Sequence, residues 1–334
     1  MKILNYLKEA AKCENRRALP ILSFPAVQKL GITVRELVQD SALQAKAMKT
    51  VSDLTPGALA SVSFMDLSVE AEAFGAAAHF SDGEVPTITG QLISGEEDAD
   101  EMTVPPVGAG RCGVYVEAIR QAKEQITDRP VFAGCIGPYS LSGRLMDVTE
   151  IMYLLYDEPD AVHTVLEKAT EFLIGYINAF KAAGADGVVI AEPLAGLLSP
   201  KMNREFSCTY MEKIISAVQT EEFAVIYHNC GNTVMSLLTD IFALHAAAYS
   251  FGDCLDMKEV LENAPEDAIC LGNVSPSVQF AGGTPESIAL VTTNLLKMAE
   301  GKNNFIISSG CDIPPHAKWE NIHAFFEAVN NYKA

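Results

Sequence analysis

The 334-residue chain contains no apolar run that approaches the ~18 residues a membrane-spanning helix requires. It has no CxxC pair either. Its eight cysteines stand at 13, 112, 135, 208, 230, 254, 270 and 311, a spread unlike that of small disulfide scaffolds. In a reducing compartment each is expected to be a small buried hydrophobe. Basic residues are in deficit, 24 against 43 acidic, and the formal charge of -19 repels phosphate backbones and anionic lipid. Nucleic acid and membrane surfaces are therefore poor partners. The segment "MKILNYLKEAAKCENRR" lacks the apolar stretch of a signal peptide, so a cytoplasmic location is expected. No internal repeat, low-complexity tract or second core is visible.

What is present is alternation. "ASVSFMD" (60–66), "PVFAGCIGP" (130–138), "DGVVIAEP" (186–193), "FAVIYHNCG" (223–231), "AAYSFGD" (247–253), "AICLGNVSP" (268–276) and "NFIISSGC" (304–311) are short apolar runs that end in turn residues or the cysteine of "SSGC". Each reads as a buried strand. Between several of them lie helical patterns such as 160–185 and 286–301, each closed by a glycine. Strand, helix, strand at this interval implies a parallel sheet. With "RALPILSF" (17–24) as candidate eighth strand, the pattern fits a (β/α)8 TIM barrel better than a doubly wound α/β sheet. A single domain is expected over 1–334, with an N-terminal segment of about 1–59. The polar stretch from about 70 to 106 reads as an insertion over the barrel mouth.

"GAGRCG" (108–113) matches a dinucleotide-binding fingerprint by letter. That motif needs a strand feeding its first glycine, and the preceding "TVPPV" has two prolines that cannot serve a central strand. A loop leading into a helix is expected instead.

In "YHNCGNT" (227–233), His228 and Cys230 stand two apart, so at a strand end they face the same side. Cys311, in "SSGC", also follows a strand and a glycine, and the C-terminal strand ends of a TIM barrel share one face. His228, Cys230 and Cys311 are thus candidate metal ligands. Three protein ligands with no fourth of their kind is the pattern of a catalytic Zn2+ with an open position.

These residues, with "AEPLAGLLSP" and "LGNVSP" between and around them, resemble the uroporphyrinogen decarboxylase superfamily. Within it the chain is most similar to the zinc-dependent methylcobamide:coenzyme M methyltransferases, most strongly from about Phe132 onward. The resemblance implies transfer of a methyl group from a corrinoid, carried by a separate methylated partner protein, to a small thiol such as coenzyme M. Decarboxylation of a tetrapyrrole is the alternative within the fold. It is disfavoured because "LPILSFPAVQKLGI" has no arginine where the decarboxylases carry an "RQAGR"-like segment. A corrinoid-protein-binding or zinc-binding module without turnover is the third reading. The ligand set itself favours thiol chemistry: two thiolates cancel the charge of Zn2+, so a third, substrate thiolate stays nucleophilic, whereas hydrolytic zinc sites use harder donors.

Supporting residues are expected around this centre. Glu192, at a strand terminus, is a candidate to orient substrate or receive the thiol proton, or else pairs with a loop donor. Asp253 is a candidate for the open zinc position at rest. Asp66 ends the first barrel strand where the superfamily often has an acid. Asn229, Asn232 and Asn273 are candidate second donors, Asn273 toward the bound cofactor. The other five histidines have no ligand spacing. The loops 193–200 and 137–145 are candidate landing surfaces for the corrinoid partner.

Overall fold

The computed structural model describes residues 2–333. Among these described residues nine strands occur, β1 Ser61–Val62, β2 Ala77–His79, β3 Thr87–Thr89, β4 Val131–Ile136, β5 Gly187–Ala191, β6 Ala224–Asn229, β7 Ala248–Phe251, β8 Cys270–Val274 and β9 Phe305–Ser309. Seven form one parallel sheet in the order β1-β4-β5-β6-β7-β8-β9; β2 and β3 form a separate antiparallel hairpin. The seven strands read directly from the sequence are present, and the sheet with its outer helices is a TIM-barrel-like α/β fold; the candidate eighth is not.

The residues 17–24 are not a strand. They nonetheless fill the gap between β9 and β1. Leu19 N–H donates to Ile307 O, Leu59 N–H to Ala18 O, and Ile313 N–H to Ile21 O. Side chains make up the rest: Ser308 Oγ donates to Leu19 O, Ser309 Oγ accepts from Ile21 N–H, and Ser23 Oγ donates to Val62 O. Pro20 removes one backbone donor from this run, which is why hydroxyls replace part of the ladder.

Alternation along the strands separates two cores. Phe132, Val189, Ala191, Ala224, Ile226, Ala248, Leu271 and Ile306 face the barrel interior. Their neighbours Val131, Ala133, Val188, Ile190, Val225, Tyr227 and Tyr249 pack under the helices. Helix 3–12 plugs the N-terminal end of the barrel with Ile3, Leu7 and Ala11, all fully buried. Burying the first two side chains contributes about 1.5–3 kcal/mol each. The opposite, C-terminal end is left for the loops.

The sequence between 70 and 106 holds the β2–β3 hairpin and helix 96–101. Gly110 and its neighbours form turns leading into helix 112–125, with no strand before them. Arg111 of the same motif is a structural anchor. It is buried against Asp66 (2.5 Å) and Glu72 (2.6 Å), and donates to Ser68 Oγ. Two expectations are corrected. Residues 138–146 are a helix, not a loop, because Pro138 starts it and Glu192 caps it; all but Arg144 are buried. They offer no apolar landing surface. Cys13 and Cys254 are exposed, whereas Cys112, Cys135, Cys208 and Cys270 are buried. Among the described residues, no helix is long and apolar enough to cross a membrane.

Glu70 is fully buried, with Oε1 accepting from Ile136 N–H and Oε2 lacking a partner. Burial pushes its carboxyl up to about 8. A carboxyl raised in the folded state stabilises it below the unfolded value and loses that contribution as pH rises through the folded one. Relative to wild type, Glu70→Gln is expected to gain more than about 1 kcal/mol between pH 5 and pH 8. Urea unfolding at the two pH values measures this, and a pH-independent difference would refute it.

Candidate metal centre

Inward parity continues past Ala224 and Ile226 to His228, so β6 turns the imidazole toward the barrel axis. It is 1% exposed. The neighbouring strands make room with small inward residues: Ala191 and Ser250 pair with His228 in the β5 and β7 registers. Cys230 follows on the same side, and Cys311 arrives from the end of β9. The donor atoms of His228, Cys230 and Cys311 all lie within 4.8 Å of one another. Ligands at ~2.0 Å (nitrogen) and ~2.3 Å (sulfur) around a tetrahedral zinc are separated by about 3.5 Å, so small adjustments would close the triad.

Two observations concern whether these residues suit a metal. His228 Nδ1 lies 3.0 Å from Ser250 Oγ, while its Nε2 is buried with no partner. A proton on Nδ1, donated to Ser250, leaves a lone pair on Nε2; a buried nitrogen left in that state is costly unless something binds it. The thiols are coupled. The Cys311 thiol beside it, with His228, pulls the Cys230 thiol well below the usual thiol range despite burial. The same proximity, with burial, pushes Cys311 up. The surroundings of Cys230 thus favour the thiolate, the form a zinc ligand takes. A dication, soft and borderline, fits this donor set of one imidazole and two thiols.

Tight backbone packing holds the loops. A Cβ on Gly252 would lie 2.6 Å from Cys230 Cα, and one on Gly310 2.7 Å from the Asp253 nitrogen. The loops bearing Cys230, Asp253 and Cys311 therefore touch through glycines. Asn229 ties its own turn, with Oδ1 accepting from Gly231 N–H and Nδ2 donating to Tyr227 OH.

The remaining candidates sit elsewhere. The carboxylate of Asp253, an exposed residue, is not among the clustered donor atoms. Asn273 Nδ2 donates to Gly252 O (2.8 Å) and Leu255 O (2.7 Å), bracing the loop that carries Asp253. Glu192 is fully buried, and its two oxygens accept from the Tyr139 and Ser140 amides at the N-terminus of helix 138–146. Burial pushes its carboxyl up to about 7, against the pull of those bonds. Asp66 is bound by Arg111 and Tyr115. Asn232 is exposed and makes no side-chain hydrogen bond among the described residues. Of the other histidines, His163 stacks on Phe206 and bonds Tyr210.

Sequence reading missed Ser250 and Asp312. The latter receives Met65 N–H on Oδ2 (3.0 Å), joining the Cys311 loop to the end of β1. Ser250 lies 22 residues from His228 and is linked to it only through strand register, so no local pattern could have found it. Ser250→Ala is expected to weaken zinc affinity roughly 10–100-fold, as loss of a ligand's outer partner does. Competition with a chromophoric chelator would show this; unchanged affinity would mean the hydroxyl does not orient the ring.

Comparison with known proteins agrees with this architecture. The family model described as uroporphyrinogen decarboxylase (URO-D) matches residues 16–332. A methylcobamide:CoM methyltransferase of Methanosarcina acetivorans is 27% identical over 273 residues, covering 80% of this chain and 78% of that protein. A uroporphyrinogen decarboxylase of Psychromonas ingrahamii is 26% identical over 287 residues, covering 81% and 78%. Among solved structures, a methyltransferase from Methanosarcina mazei superposes with a TM-score of 0.87 at 26% identity, covering 99% of both chains. Curated relatives thus include enzymes of two kinds, methyltransferases and decarboxylases, and the match over nearly the whole length places this chain in the uroporphyrinogen decarboxylase (URO-D) family.

Proposed function

We propose that the protein is a zinc-dependent methyltransferase that moves a methyl group from a methylated corrinoid, presented by a partner protein, to a small thiol. The observation that carries this reading is the meeting of His228, Cys230 and Cys311 at the C-terminal face, with a buried imidazole nitrogen that has no protein partner. Zinc, when bound, supplies the positive charge that holds an incoming thiol as its thiolate at neutral pH. The chain's own residues do the rest. Cys230 and Cys311 offset the dication, so the acceptor sulfur keeps its electron density. Ser250 fixes the imidazole, and the glycine contacts at 252 and 310 keep the two cysteine loops together.

In the overall reaction the acceptor sulfur forms a bond to the methyl carbon as the cobalt–carbon bond breaks. The electron pair of that bond stays on cobalt, which passes from Co(III) to Co(I), and the product is a methyl thioether. Leu197 and Val278, exposed at 53% and 62%, follow β5 and β8 on the same face. In this reading they meet the corrinoid-bearing partner.

Decarboxylation is the second reading, favoured by the family model and by the decarboxylases among the relatives. The two separate in one assay. Zinc-loaded protein is incubated without oxygen with methylcobalamin and a thiol panel, and cob(I)alamin is followed by absorbance; in parallel, uroporphyrinogen is supplied and carbon dioxide collected. Thiol-dependent cob(I)alamin supports methyl transfer. Carbon dioxide release without it would replace that reading.

A further inference from the structure

The turn that follows β7 is wedged between the two cysteine loops. A Cβ on Gly252 would meet Cys230, and one on Gly310 would lie 2.8 Å from Asp253 Cβ. Leu255 N–H donates to Gly252 O, and Asn273 Nδ2 donates to the carbonyls of both residues, so the segment is clamped at its two ends. Two side chains stand between the clamps, Asp253 and Cys254, and both residues are exposed.

Cys254 and Cys13 are the exposed cysteines among the described residues. Cys254 touches the metal-binding turn itself: its Sγ lies 3.6 Å from Cys230 O and 3.5 Å from Gly231 O. A thiol is a weak donor, and here it is shared between two acceptors, so little holds it in place. A change of χ1 rotamer shifts a cysteine sulfur by about 3 Å. An exposed side chain on this turn is free to make that change.

A second, independent observation calls for a ligand. Nε2 of His228, a residue 1% exposed, has no protein partner, and three clustered donors leave one position of a tetrahedral metal unfilled. Charge selects what fills it. Two thiolates neutralise a dication, and the balance that admits a substrate thiolate admits one from the chain. A donor set already rich in sulfur also suits a third thiolate better than the harder carboxylate of Asp253.

We propose that Cys254 is the fourth metal ligand while no acceptor thiol is present, closing the centre with one imidazole and three thiolates. This rests on the metal centre of the reading above. When an acceptor thiol enters, the bond from Cys254 breaks as the bond to the entering sulfur forms. The proton that the acceptor gives up passes to the Cys254 sulfur, so the net charge of the centre is unchanged. The released thiol then rests on the carbonyls of residues 230 and 231, the position seen in the structure.

The test uses no methyl donor. Wild type, Cys254→Ser, Cys254→Ala and Asp253→Asn are loaded with Co2+ without oxygen, and the sulfur-to-cobalt charge-transfer absorption, which grows with the number of bound thiolates, is recorded before and after adding 2-mercaptoethanol. Wild type is expected to keep its intensity when the thiol arrives, because one sulfur replaces another. Both Cys254 variants should start about a third lower and rise to the wild-type level with the thiol. Asp253→Asn should match wild type throughout. X-ray absorption of the zinc-loaded proteins counts the sulfurs directly, with one fewer expected in Cys254→Ala.

Equal intensity in wild type and both Cys254 variants, or a wild-type spectrum that rises on adding thiol, overturns the proposal. A change confined to Asp253→Asn gives the fourth position to that carboxylate instead. The methyl-transfer reading is decided separately: three thiolates in a protein that methylates no thiol would support Cys254 and refute methyl transfer, and a two-thiolate centre that methylates thiols would do the reverse. Failure of wild type to bind cobalt would refute both.

Discussion

Cys311→Ala is expected to give a folded barrel that retains less than a tenth of an equivalent of zinc, with methyl transfer reduced by more than about a thousandfold. The reasoning is local. Removing a hydrogen-bonding partner outside the ligands already costs about 10–100-fold in affinity, so removing one of three protein ligands costs more. Cys311 is half-buried at a loop rather than packed in either core, so its thiol contributes little to stability. The alanine variant should therefore melt close to wild type measured without metal. Metal analysis after desalting, with cob(I)alamin formation on the same sample, checks both halves. Full zinc occupancy, or transfer at the wild-type rate, would remove Cys311 from the centre.

Arg111→Ala carries the largest expected loss of stability, about 3–5 kcal/mol, because it strands a buried carboxylate. Asp66 has no exposed side-chain surface. Its Oδ2 accepts from Arg111 and from Tyr115 OH at 2.8 Å, and its Oδ1 from Ser68. Without the guanidinium, the hydroxyl bonds remain but the charge is uncompensated. Glu72 also loses its ion pair, though it is 26% exposed and better served by water. The double variant Arg111→Ala/Asp66→Asn should recover part of the loss, since both buried charges go together. Chemical denaturation reads both, and a single-variant loss below about 1 kcal/mol would mean the network is relaxed by water.

Arg111 also shows where sequence reading stops. Its glycine-rich surroundings advertised a nucleotide loop that the prolines before it forbade, and nothing nearby announced a partner 45 residues away. The strands were legible because each is apolar on both faces and ends in turn residues. His228 and Cys230 were legible because two-residue spacing fixes a common side, and Cys311 because its strand ends like theirs. Ser250 and Asp312 were not. Their roles depend on register and on a contact across the barrel seam, and neither leaves a mark on neighbouring letters. Residues 17–24 fall between the two cases. Their apolar pattern told correctly where they lie, and Pro20 explains why they lie there without a full ladder.

That seam also affects how the protein can be re-engineered. Ser308 and Ser309, which bind residues 19 and 21, stand only three and two positions before Cys311, and Asp312 just beyond it reaches Met65. Circular permutants cut inside residues 17–24 would therefore loosen the third sulfur first, while a cut in the β2–β3 hairpin would spare it. The place where the cylinder is least regular is also the place least free to be opened.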